Sequence, residues 1–79
     1  MDDKLRELLT AYAQAIVDEN DKAQSSAFAN LRGAGYSLSG YVGAPLVWKD
    51  RKMVGQIVFN FTKSNQFKKR NPFTISVNE

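Results

Sequence analysis

Leu46-Val-Trp-Lys-Asp-Arg-Lys-Met-Val-Gly-Gln-Ile-Val-Phe-Asn-Phe-Thr62 is the stretch whose reading decides the fold. Side chains alternate with a period of two on either side of Asp50-Arg51, the pattern of a β-hairpin. With Asp50-Arg51 as a two-residue turn, Lys49 faces Lys52, Trp48 faces Met53, Val47 faces Val54 and Leu46 faces Gly55. One face then collects Leu46, Trp48, Met53, Ile57, Phe59 and Phe61. The other collects Val47, Val54, Gln56, Val58 and Asn60. Burial selects this register, because a slip of one residue would turn the large apolar set to the opposite face. Asp-Arg is not a favoured type I′ pair, which leaves a slightly longer loop open. Gly55, inside a long strand, marks a bulge or a bend.

Working towards the N-terminus, residues 36–42 form a further strand, made irregular by Gly40 and ended by Gly43-Ala-Pro45. Before them the period changes to 3.6. Leu5, Leu8, Leu9, Tyr12 and Ile16 recur at spacings of three and four, one face of a helix over about residues 3–32. Asp2 or Asp3 caps its start, and Gly33 and Gly35 stop it. The stripe continues through Ala23, Ala27 and Leu31, with Phe28 turned to the side. Asp18-Glu-Asn-Asp21 is its weak point, where side chains compete for backbone hydrogen bonds and a bend is expected. Unbroken, the helix would be about 45 Å long. A wrapping sheet, a break near Asn20, or a second copy forming a homodimer through the long helix would accommodate that length.

Towards the C-terminus, Phe73 to Val77 alternates as a last strand. The expected fold is α+β, in one domain over residues 1–79. An N-terminal helix (3–32, bent near 18–21) packs on a four-stranded antiparallel meander (36–42, 46–49, 52–62, 73–77). In architecture this order resembles cystatin-like helix-on-sheet folds. Gln56-Ile-Val-Phe-Asn60 departs from the Gln-x-Val-x-Gly loop of cystatins, having no glycine and lying inside a strand.

Composition removes several classes of chemistry. There is no histidine and no cysteine among the 79 residues. The commonest general base, the commonest metal ligand and every thiolate site are therefore missing. Most of the acids lie on the helix or at its bend, where a solvated face explains them better than a catalytic pair. Asp18, Glu19 and Asp21 match no EF-hand spacing. Gly33-Ala-Gly35 follows a helix, whereas a phosphate-cradling glycine run precedes one. An enzyme is not expected, nor is a cofactor or a metal. No apolar run is long enough to span a bilayer. The acidic, amphipathic start is unlike a secretory signal, so a cytoplasmic protein is expected.

Charge supplies the one pointer to a partner. Residues 1–40 hold six acids against four bases, net −2, and residues 41–79 hold seven bases against two acids, net +5. Lys63-Ser-Asn-Gln-Phe-Lys-Lys-Arg-Asn-Pro72 concentrates Lys63, Lys68, Lys69 and Arg70 around Phe67, with no acid. Lys49, Arg51 and Lys52 add a second basic turn. In a meander these two turns project from opposite ends of the sheet. A small nucleic-acid-binding module follows, with cations on phosphates and Phe67, if exposed, stacking on a base. If Phe67 is buried, the segment is instead a charged cap guarding a sheet edge. The alternative is a compact protein-binding inhibitor or adaptor. It would act through the exposed sheet face, an edge strand, or the acidic helix with Asp18, Glu19 and Asp21. Tyr36 and Tyr41 are its candidate surface aromatics.

Overall fold

The computed structural model describes residues 3–41 and 43–78, with Tyr41 in its backbone only. The expected cap at Asp2, the strand end at Val42 and the surface role of the Tyr41 side chain lie outside the described residues. Two helices, α1 (Asp3–Val17) and α2 (Asp21–Gly33), precede four strands, β1 (Ser37–Tyr41), β2 (Ala44–Lys49), β3 (Lys52–Phe59) and β4 (Phe73–Val77). The strands form one antiparallel sheet in the order β1-β2-β3-β4.

The long helix breaks where its sequence is weakest. Asn20 N–H donates to Ala15 O at 3.0 Å and Glu19 N–H to Ile16 O at 3.1 Å, while Glu19 takes φ 54°. This is a Schellman ending with a left-handed residue at Glu19. Asn20 then caps α2, its side chain accepting from Ala23 N–H at 3.1 Å. α2 packs against α1, so the overhang that a 45 Å helix would have created does not arise. Gly35 ends α2 in the same manner, with φ 93° and a 3.0 Å bond from Tyr36 N–H to Leu31 O.

The core lies between α1 and one face of the sheet. Leu5 and Leu9 of α1, Leu31 of α2, and Val47 and Ile57 of the sheet are its largest fully buried side chains. Each contributes about 1.5–3 kcal/mol by leaving water. Tyr36 is also buried, with the Lys49 ammonium 4.7 Å from its ring centroid, so it is not the surface aromatic expected from sequence.

Asp50-Arg51 is the two-residue turn, with φ 53° and 68°, and Lys49 faces Lys52 as expected. These positive φ values at both central residues are those of a type I′ turn, reached without its favoured asparagine or glycine. Beyond Trp48 and Met53 the register shifts. A β-bulge places Val47 opposite Gly55 and Leu46 opposite Gln56, leaving Val54 as the extra residue. The sequence reading marked a bulge at Gly55 but carried a regular register through it, and the two faces change accordingly. Val47 turns into the core with Ile57 and Phe59. Trp48, Met53, Leu46 and Val58 share the face away from the helices, and Met53 is 41% exposed.

Two strand limits also differ from expectation. Pro45 does not break the chain but sits within β2, paired with Gly40. It lies just past the last β2–β3 pair, Leu46 with Gln56, where a missing N–H costs no ladder bond. β3 ends at Phe59 rather than running to Thr62, because Phe61 leaves the β4 ladder and bridges to Phe67.

Candidate anion-binding groove

The basic segment between β3 and β4 is a small hairpin of its own. Lys68 N–H donates to Asn60 O at 3.0 Å and Thr62 N–H to Gln66 O at 2.7 Å. The Thr62 hydroxyl accepts from the amides of Ser64 and Gln66, both at 3.3 Å. Asn65 and Asn71 take φ 60° and 51° at its bends, as asparagine tolerates. Lys63 lies in the turn at the tip of this hairpin, exposed.

Alternation along the hairpin separates two chemistries. Phe59, Phe61 and Phe67 collect on one side: Phe61 stacks on Phe67 at 5.0 Å and Phe67 meets Phe59 edge-on at 5.7 Å. Asn60 and Lys68 line a groove on the other. Phe67 is half-buried and plugs the end of the core, while Phe61, expected in the core, is 43% exposed. Phe67 is therefore not the exposed stacking aromatic of the sequence-based expectation, and its packing is that of a capping segment; the exposed aromatic at this end of the molecule is Phe61.

The groove has a volume of about 600 Å³ and is bounded by three elements. Arg6 and Thr10 come from α1, Asn60, Lys68, Arg70 and Asn71 from the hairpin segment, and Phe73, Thr74 and Ile75 from β4. Three cationic residues thus line one concavity whose lining includes no carboxylate among the described residues. Several of its polar groups are held in place. Arg6 donates through Nη1 to Ile75 O at 3.3 Å, which also covers an outward carbonyl of the edge strand β4. Asn60 donates through Nδ2 to Asn71 O at 2.7 Å and to the Thr74 hydroxyl at 3.4 Å. Such an arrangement can accept an anion with several oxygens, the arginines by paired N–H donors and the lysine as a point charge.

No match was found to a protein family, a curated protein or a solved structure. Of the residues singled out in the sequence, Lys68 and Arg70 line the groove. Lys69 and Lys63 are exposed in the same segment without lining it. Arg51 and Lys52 are exposed at the opposite end of the sheet, beside Lys49 on Tyr36, so the two basic turns form no single patch. Asp18, Glu19 and Asp21 are exposed at the α1–α2 corner, where Gln14 donates to Asp18 at 2.9 Å. No cluster that could hold a metal ion occurs among the described residues. No helix of the structure is long and apolar enough to cross a membrane.

Sequence reasoning missed Arg6, Thr10, Asn60, Asn71 and Thr74. Arg6 and Thr10 are one helical turn apart beside the Leu5–Leu9 stripe. That spacing puts them on the flank of the helix, but only the packing of α1 along β4 brings them to Lys68 and Arg70.

Proposed function

We propose that the protein is a small non-enzymatic nucleic-acid-binding module whose phosphate contacts are made in the groove of Arg6, Lys68 and Arg70. The observation that carries this reading is that those three cationic residues, from α1 and the hairpin segment, line one groove with no acid among its lining residues. Lys69 and Lys63 extend the positive field along the same segment. A binder rather than a catalyst fits a chain without histidine or cysteine. A cytoplasmic location belongs to the same proposal. The test is binding to mixed-sequence DNA and RNA over a salt series. With about four phosphates neutralised, log K against log salt should fall with a slope of about −3 to −4. Absence of binding at low salt overturns the reading.

A second reading, a protein-binding inhibitor or adaptor, is favoured by the sheet face that no helix covers. Leu46, Trp48, Met53 and Val58 lie together there, apolar and partly accessible. It predicts a one-to-one protein complex that survives nuclease and moderate salt. Charge reversal in the groove would not weaken such a complex.

A further inference from the structure

Against the other face of the same hairpin lies a cleft of about 380 Å³ between the helices and β1. Its walls include Tyr12, Leu38, Phe61 and Phe67, and Gln24 adds a polar side chain to a mostly apolar lining. We propose that this cleft receives one unstacked base of a single-stranded nucleic acid whose phosphates lie in the basic groove. The proposal rests on the nucleic-acid reading above and names the form of the ligand.

Four observations support it. The cleft, about 380 Å³ and mostly apolar, is of a size that suits a planar heterocycle. Phe61 is 43% exposed, stacked 5.0 Å from Phe67 and braced through Phe67 on Phe59, so its ring is an accessible and fixed platform. The side-chain amide of Gln24 suits hydrogen bonding to a base edge and has no role in the apolar core. Finally, cleft and groove are separated only by the two-stranded hairpin, since Asn60 and Lys68 are chain neighbours of Phe61 and Phe67. A strand crossing the hairpin meets Lys68 and Arg70 on one side, Lys63 at the tip and aromatic rings on the other. A paired duplex can satisfy the cations but must expel a base, at a cost in stacking, to fill the cleft.

The test is fluorescence anisotropy with a labelled oligonucleotide of about 12 nucleotides, as single strand and as duplex. Wild type, Phe61→Ala, Phe61→Leu and Lys68→Ala are compared, with folding of each checked by circular dichroism. The single strand should bind at least about tenfold tighter than the duplex. Phe61→Ala should weaken single-strand binding about 5- to 100-fold, leaving the salt slope and the duplex affinity unchanged. Phe61→Leu, which keeps apolar bulk, should show most of that loss. Lys68→Ala should weaken both forms and flatten the salt slope by about one. Equal binding of both forms, with no effect of either Phe61 variant, overturns the base site while leaving the phosphate groove standing. No binding of either form at low salt overturns both.

Discussion

Gly55 and Ser76 lie so close across the β3–β4 pair that a β-carbon on Gly55 would sit 2.7 Å from the Ser76 carbonyl oxygen. The same β-carbon would also touch Leu9 Cδ1 at 3.7 Å. Backbone on one side and a fully buried leucine on the other leave nothing that can swing away. Gly55→Ala should therefore destabilise the fold by about 1–3 kcal/mol, read as a lower midpoint in urea unfolding. A midpoint equal to wild type would mean that the bulge relaxes to admit a methyl group.

The β2–β3 turn holds Asp50 and Arg51 at φ 53° and 68°. A side chain at such angles costs roughly 1–2 kcal/mol, less for aspartate than for arginine. The double substitution Asp50→Asn with Arg51→Gly supplies the favoured type I′ pair and should stabilise the protein by about 1 kcal/mol in the same unfolding assay. Nucleic-acid affinity should not change, because this turn lies at the far end of the sheet from the groove.

Glu19 occupies the left-handed position that ends α1, at φ 54°. Glu19→Gly removes the steric cost and should raise stability by about 0.5–1 kcal/mol, although glycine also loosens the unfolded chain. A rise in thermal midpoint with unchanged helical circular dichroism is the expected result. Loss of helix signal would instead mark Glu19 as part of a needed charge cluster.

The two ends of the sheet should differ in the salt dependence of binding. Lys68→Ala and Arg70→Ala should each flatten the slope of log K against log salt by about one. Lys52→Ala should leave it unchanged, since Lys52 sits beside the Asp50-Arg51 turn. Equal effects from both ends would place the backbone of the nucleic acid along the whole sheet.

Lys49 keeps its ammonium 4.7 Å from the Tyr36 ring centroid and its stem against Gly35. Lys49→Met retains the apolar stem and removes the charge. Stability should fall by about 0.5–1 kcal/mol, and nucleic-acid affinity should hold. A large loss of affinity would return Lys49 to the binding surface.

Much of the fold was legible because it rests on periodicity. The Leu5-Leu9 stripe, the Gly33 and Gly35 stop, the weak point at 18–21 and the alternation from Leu46 to Thr62 each express a local rule. A local rule could not see through the bulge. A single inserted residue, Val54, reverses which of Val47 and Trp48 enters the core, and the sequence marks only a glycine nearby. Phe61 is exposed for a different reason, because the chain leaves the β4 ladder and folds back at the Phe61–Phe67 bridge, and Tyr36, a candidate surface aromatic from the sequence, is buried beside Lys49.

By itself, then, the sequence determined a helical N-terminal region with a weak point at 18–21 before an antiparallel meander, and a positive C-terminal half with its cations concentrated in one loop. Those follow from side-chain period and charge, which are properties of neighbours in the chain. Only the tertiary structure decided which cations meet. Arg6 is more than sixty positions from Lys68 and Arg70, and packing of α1 along β4 is what closes that distance. Only the tertiary structure, likewise, divided the 60–68 hairpin into an aromatic face and a cationic one. That division depends on the Phe61–Phe67 bridge, a pairing set by how the hairpin folds back rather than by either residue alone.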